Sequence, residues 1–200
     1  MRGNLLLDST AASLQWAGTG RKKVSRPLWY YGIMTVSSAT GVLSGYDVKK
    51  RGGSTVDRLF TIGFTKKTAE EFFSKLKQAH VRSLLDIRLN NSSQLAGFTK
   101  KPDLEYFLME IGKIRYAHLP QFCPTGEIMD GYKSRRLSWQ EYEKRFLALM
   151  KERKVENSVS RESLNYGCLL CSEDKPDRCH RSLVARYLAD RLGSLEVIHL

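Results

Sequence analysis

The stretch Tyr166–Leu188, YGCLLCSEDKPDRCHRSLVARYL, decides the fold that we predict for this chain. It begins with a short apolar run typical of a buried strand, and a charged loop containing Pro176 follows. Apolar residues at helical spacing then predict a helix that begins at Asp177 or Cys179. A strand followed by a loop and a helix is the repeating unit of a parallel α/β sheet.

The same alternation runs from Leu59 to the last residue. Capping boxes at Thr68–Glu71 and Ser138–Glu141, and a proline at position 102, predict the starts of three further helices. We interpret residues 121–137 as a long loop and residues 154–165 as a polar connection. The other predicted strands are 59–64, 81–88, 114–119 and 195–200. The order βαβαβαβαβ predicts a three-layer α/β fold, in which helices cover both faces of a mostly parallel five-stranded sheet.

Residues 1–57 differ in composition from the rest of the chain. They contain no glutamate, and they include an uncharged run, residues 28–46, that is nearly long enough to span a bilayer. This run is rich in Ser, Thr, Gly and Tyr and has no solid aliphatic block, so we expect no membrane partner. We predict that residues 1–57 are a poorly ordered or loosely packed extension and that residues 58–200 form one α/β domain.

The chain is basic, with 33 Lys and Arg residues against 21 Asp and Glu residues and a formal net charge of +12. This balance favours a nucleotide or a nucleic acid as partner. The four cysteines show no spacing typical of a disulfide framework, so we expect reduced thiols and a cytoplasmic location. We expect no metal and no cofactor.

Polar residues follow the predicted strands at their carboxyl ends, where open α/β sheets bind ligands. Asp86 and Arg88 are two positions apart, so their side chains point to one face of the second strand. The start of the last helix adds free N–H groups and two arginines, which suit a phosphate group. We predict an anion site formed by Asp86, Arg88, Glu173, Arg178, His180 and Arg181.

Three other interpretations stay open. Cys171 or Cys179 could be the nucleophile of a thiol enzyme, with His180 as the base. Against this hypothesis, the spacing from Cys171 to Arg178 is one residue longer than the corresponding spacing in tyrosine phosphatases. In addition, two neighbouring acids would raise the pKa of the Cys171 thiol. A zinc site is disfavoured, because Cys168 and Cys171 lie three apart in a strand and face opposite ways. The cluster could also be a structural latch between the strand and the helix.

Several segments resemble the family called domain of unknown function 488. The segments that carry the resemblance are Thr61–Gly63, Asp86–Arg88, Gly97–Lys100, Arg115–Leu119, Leu170–Glu173 and Cys179–Arg181. The similarity covers about residues 59–200, and Ser172 stands where the family usually has alanine.

The resemblance implies an α/β domain in the cytosol and supplies no established activity. It implies a site at the positions Asp86, Arg88, Cys171, Glu173, Cys179, His180 and Arg181.

Overall fold

A computed structural model of the protein describes residues 56–92 and 97–200. The predictions for residues 1–55 lie outside the described part. The strands are β1 (Asp57–Gly63), β2 (Ser83–Asp86), β3 (Arg115–His118), β4 (Gly167–Cys171) and β5 (Leu195–His199). The helices are α1 (Ala69–Gln78), α2 (Lys101–Gly112), α3 (Gly126–Lys133), α4 (Trp139–Arg153), α5 (Arg161–Leu164) and α6 (His180–Leu192). Short 3-10 helices cover Gly97–Thr99, Pro120–Phe122 and Val155–Ser158.

The five strands form one sheet in the order β3-β2-β4-β1-β5, and every neighbouring pair is parallel. β4 is the central strand, and all five of its residues are buried because it pairs with β1 on one side and β2 on the other. Such a strand is a continuous apolar run in the sequence, as the start of the opening stretch is. The predicted parallel sheet of five strands is confirmed.

Helices cover both faces of the sheet. α1 and α2 pack on one face through a core cluster that includes Phe72, Leu76 and Leu104. α3, α4, α5 and α6 contribute to a second cluster on the other face, which includes Phe146 and Val184. The three-layer architecture predicted from the sequence is confirmed. Within the described residues, no helix combines the length and the apolar character needed to cross a bilayer.

The predicted helix starts agree with the structure. Both capping boxes form, at Thr68 with Glu71 and at Ser138 with Glu141. Each box satisfies backbone N–H groups that the first helical turn leaves without partners. The last helix begins at His180 with Cys179 as its N-cap, so of the two predicted starts the structure selects the second.

Two connections contain more structure than we predicted. Residues 121–137, interpreted as a loop, hold the two-turn helix α3, whose N-cap Thr125 accepts a hydrogen bond from the Ile128 N–H. The polar connection 154–165 contains a 3-10 turn and the single-turn helix α5. Short helices of this kind are marginal by intrinsic propensity and depend on packing against the rest of the domain, so periodicity alone does not reveal them.

Gly63 permits a close approach between β1 and the loop that follows β4. It lies beside Cys171 in the β1–β4 register. A Cβ atom at this position would be 1.6 Å from the carbonyl oxygen of Glu173 and 2.9 Å from Nη1 of Arg181. Glycine is therefore required here by the space that the Glu173 carbonyl occupies, and this carbonyl is part of the site described below.

We expect Gly63→Ala to lower the free energy of unfolding by about 3 kcal/mol, because the added methyl group must displace backbone atoms. Gly126→Ala is the matched control, since a Cβ there meets no atom within 4 Å. The control should be neutral or stabilising by up to about 1 kcal/mol. Urea unfolding of the two variants measures the difference, and equal stabilities would contradict the proposed close approach.

Candidate functional site

A pair of cysteine thiols lies where the central strand meets the last helix. Cys171 is the final residue of β4, and Cys179 is the N-cap of α6. Their Sγ atoms are 3.1 Å apart, and both cysteines are free. Cys171 is 0% exposed and Cys179 is 2% exposed. The fold thus closes the loop 172–178 into a turn that brings two sulfur atoms into contact.

The guanidinium of Arg181 lies beside both sulfur atoms and is 1% exposed. Its Nη1 donates to the Glu173 carbonyl at 2.5 Å and to the Cys171 Sγ at 2.8 Å, and it lies 3.6 Å from the Cys179 Sγ. Its Nη2 donates to the Asp174 carbonyl at 2.9 Å. Arg181 therefore fixes the loop to the helix from within and brings a positive charge to the thiol pair.

The two thiols differ in how readily they ionise. A hydrogen bond from the Cys171 thiol, the hydrogen bond and charge of His180, and the backbone N–H of Arg181 together lower the pKa of Cys179 below its ordinary value. Burial raises the pKa of Cys171 well above its ordinary value, and the neighbouring Cys179 raises it further. Arg181 is closer to Cys171, but full burial of that sulfur outweighs the attraction. Of the two thiols, Cys179 is therefore the one that ionises more readily.

His180 is held in one orientation by the second strand. Its Nε2 donates to the Ile87 carbonyl at 3.0 Å, and its ring lies edge-on to Phe146 with 6.2 Å between ring centroids. The side chain is 8% exposed, so it faces the interior of the domain. The imidazole is thus fixed beside Cys179, with its other ring nitrogen directed away from the Ile87 carbonyl.

A cleft of about 650 Å³ opens next to this pair, between the start of α6 and the helices α3 and α4. Trp139 and Tyr142 are stacked in its wall with ring centroids 5.2 Å apart, and Tyr132 lies against Trp139. The charged residues of the lining are Lys133, Arg135, Glu173, Asp177 and Arg178. Cys179 and His180 complete the lining at the end nearest the sheet.

Asp86 and Arg88 form a separate, buried centre at the end of β2. Arg88 donates from Nε and Nη2 to the two carboxylate oxygens of Asp86, at 2.8 and 2.7 Å, and from Nη2 to the Thr99 carbonyl at 2.9 Å. The Tyr116 hydroxyl donates to the same carboxylate at 2.7 Å, and this bond and burial raise the pKa of Tyr116. The pair braces the exit of β2 and does not line the cleft.

The structure divides the predicted site residues into two groups. Glu173, Arg178 and His180 line the cleft together with Cys179. Asp86, Arg88, Cys171 and Arg181 lie beneath the surface and bond to protein groups. Sequence reasoning missed Tyr132, Lys133 and Trp139 as lining residues, because the segment that carries the first two was interpreted as a loop.

The zinc interpretation finds no support in the geometry. Cys168 is buried in the cluster on the α1 and α2 face of the sheet, as strand alternation predicted. Cys123 donates its S–H to the Ile87 carbonyl at 3.3 Å and also lies apart from the thiol pair. Among the described residues, no group of three or more His, Cys, Asp and Glu side chains is arranged to hold a metal ion.

We expect Arg181→Ala to lower the free energy of unfolding by about 3 kcal/mol, because the Glu173 and Asp174 carbonyls lose their partner and a cavity remains. For a domain of this size, the melting temperature should fall by about 10 °C. Arg186→Ala is the control on the same helix, since its ion pair with Glu143 is solvent-exposed and is worth at most about 1 kcal/mol. Equal losses for the two variants in thermal melts would contradict the latch role of Arg181.

Comparison with known proteins agrees with the resemblance noted in the sequence. No curated protein and no solved structure matches the chain significantly. A family model described as "Domain of unknown function DUF488" matches residues 55–188, which is two thirds of the chain and includes β1 through β4 and most of α6. The chain therefore belongs to the family described as Domain of unknown function DUF488.

Proposed function

We propose that the cleft binds a phosphate-bearing small ligand of the nucleotide class. The observation that carries this proposal is the half-buried ring of Trp139, stacked on the buried ring of Tyr142, in one cleft with three cationic side chains. Aromatic rings offer a stacking surface to a base, and guanidinium groups match the geometry of phosphate oxygens. A cleft of about 650 Å³ has the size typical of small-molecule sites.

The cations of the cleft are available to a ligand. Within the described residues, Lys133, Arg135 and Arg178 take part in no ion pair. Arg178 has a positive φ of 49°, a backbone conformation that costs a non-glycine residue energy, and it lines the cleft wall just before α6. The three cations outnumber the carboxylates of Glu173 and Asp177, which could accept hydrogen bonds from sugar hydroxyl or base amino groups.

We expect AMP to quench the fluorescence of Trp139 and to bind to the protein in calorimetric titrations. Arg178→Ala should weaken AMP binding by about tenfold or more, the loss expected for a charge-assisted hydrogen bond. Adenosine, which lacks the phosphate, should bind more weakly than AMP to the wild type and equally to wild type and variant. Arg115→Ala is the control, because Arg115 is exposed at the amino end of β3, away from the cleft. No AMP binding, or equal losses in both variants, would refute the proposal.

A second candidate function is a thiol-dependent enzyme with Cys179 as nucleophile and His180 as its hydrogen-bonding partner. The observation in its favour is that Cys179 and His180 lie together in the lining of a cleft, where contact with the Cys171 thiol and with His180 lowers the pKa of Cys179. Thiolates are the reactive form of cysteine, and low pKa values are typical of catalytic cysteines. The acids that argued against this role are partly neutralised, since the Asp174 carboxylate accepts a hydrogen bond from Lys67 at 2.9 Å.

We expect the rate of alkylation of Cys179 by iodoacetamide to fall less steeply from about pH 8 to about pH 5 than the rate of an ordinary thiol, because the lowered pKa keeps more of the sulfur as thiolate. A thiol of ordinary pKa loses about tenfold in rate per pH unit over this range. Cys179→Ser should abolish the fast reaction, and Cys123→Ser should leave it unchanged, since burial raises the pKa of Cys123 to about 12. A wild-type rate that falls with pH like that of a free thiol would contradict the candidate function.

The spacing of the cysteines in the sequence supports a reducing compartment for this function. Cys123, Cys168, Cys171 and Cys179 are all free and buried. The sulfurs of Cys171 and Cys179 are in contact and unbonded, an arrangement that cytosolic reductants would maintain. We therefore include a cytoplasmic location in the proposal.

A further inference from the structure

We propose that Cys171 and Cys179 form a reversible dithiol–disulfide pair, in which a hydroperoxide oxidises Cys179 and Cys171 resolves the product. The inference rests on the thiolate role of Cys179 in the second candidate function. To that role it adds Cys171 as the partner residue, disulfide formation as the reaction and a hydroperoxide as the oxidant. The contact between the two sulfur atoms, at 3.1 Å, is the observation from which it starts.

The geometry is close to that of a disulfide. A disulfide bond is about 2.05 Å long, so the sulfur atoms must approach each other by about 1 Å, which small side-chain rotations and a slight shift of the loop can supply. Neither of the other two cysteines lies where it could replace a member of this pair. Cys168 faces the opposite side of the sheet, and Cys123 lies against the Ile87 carbonyl. The pairing is therefore specific to the end of β4 and the start of α6.

The surroundings give the two thiols different tasks. Cys179 is 2% exposed but lines the cleft, so it is the cysteine of the pair that a small oxidant in the cleft would meet. Cys171 is 0% exposed and does not line the cleft, so an oxidant in the cleft does not meet it directly. Its sulfur contacts that of Cys179. Cys179 is thus placed as the attacking thiol and Cys171 as the resolving thiol.

The chemistry balances in two steps. The Cys179 thiolate attacks one oxygen of the hydroperoxide, the O–O bond breaks, and the departing alkoxide or hydroxide takes up a proton, which leaves a sulfenic acid on Cys179. Cys171 then loses its proton and attacks the Cys179 sulfur, and the hydroxide that leaves combines with this proton to form water. The two thiols supply two electrons to the hydroperoxide. A dithiol reductant restores both thiols by exchange.

Arg181 favours both steps through its position. Its Nη1 lies 2.8 Å from the Cys171 sulfur and 3.6 Å from the Cys179 sulfur. A positive charge next to a thiol stabilises the thiolate, so it supports the Cys171 thiolate as it forms in the second step. The disulfide in turn removes the thiolate from the cleft wall. The oxidised protein should therefore lack the fast alkylation described above.

The test is treatment of the full-length protein with hydrogen peroxide, followed by blocking of free thiols and tryptic mass spectrometry. Trypsin separates Cys179, in residues 179–181, from Cys168 and Cys171, in residues 162–178, because the Lys175–Pro176 bond resists cleavage. We expect these two peptides to become linked with loss of two hydrogen atoms, and dithiothreitol to separate them. Fragmentation should place the bridge on Cys171.

Two variants and a control separate the possible outcomes. In Cys171→Ser, Cys179 should still react rapidly with iodoacetamide, and its sulfenic acid should accumulate and be trapped by dimedone. Cys168→Ser should form the bridge as the wild type does. Melting temperatures verify that each variant is folded.

Rapid alkylation without a bridge in the wild type would overturn the proposed pair and leave the candidate enzyme function intact. Slow alkylation would refute the candidate function itself. A bridge from Cys179 to Cys168 would overturn the assignment of the resolving thiol.

Discussion

The buried guanidinium of Arg181 is the interaction on which the site depends. A charge removed from water is costly unless every side of it finds a partner, and here the Glu173 and Asp174 carbonyls and the Cys171 sulfur supply most of them. These bonds determine the path of the loop after β4. The Glu173 carbonyl can occupy its place because Gly63 has no side chain. The position of the loop therefore depends both on its hydrogen bonds to Arg181 and on the absence of a side chain at Gly63.

The carboxyl edge of the sheet carries two polar centres with different roles. At the end of β2, Asp86 and Arg88 neutralise each other and bond to Tyr116 and the Thr99 carbonyl, so they stabilise the domain from within. At the end of β4, Cys171 contacts Cys179, which lines a cleft and whose pKa is lowered by its neighbours. The hydrogen bond from His180 to the Ile87 carbonyl connects the two centres. The ion pair on one side of this bond is rigid, so it helps to hold His180 in a fixed position beside Cys179.

Much of the architecture could be predicted, because its signals are local. A continuous apolar run such as β4 indicates a buried parallel strand, and capping boxes mark helix starts through residues three positions apart. Strand alternation correctly separated Cys168 from Cys171. The helix α3 was not predicted, because its two turns contain too few apolar positions for the periodicity to be visible. The part of the cleft wall that includes Tyr132 was therefore not predicted either.

The sequence by itself determined the alternation of five strands with the four longest helices, the parallel sheet, and the gathering of polar residues at one edge, since these follow from periodicity and from the rules of chain connection. Only the tertiary structure decided which of those residues line the cleft. Arg88 and Arg178 look alike in the sequence, yet Arg88 is enclosed by Asp86 and Thr99, whereas Arg178 lines the cleft. The contact between Cys171 and Cys179 depends on the fold of the loop between them, because side-chain distances across a turn are fixed by packing.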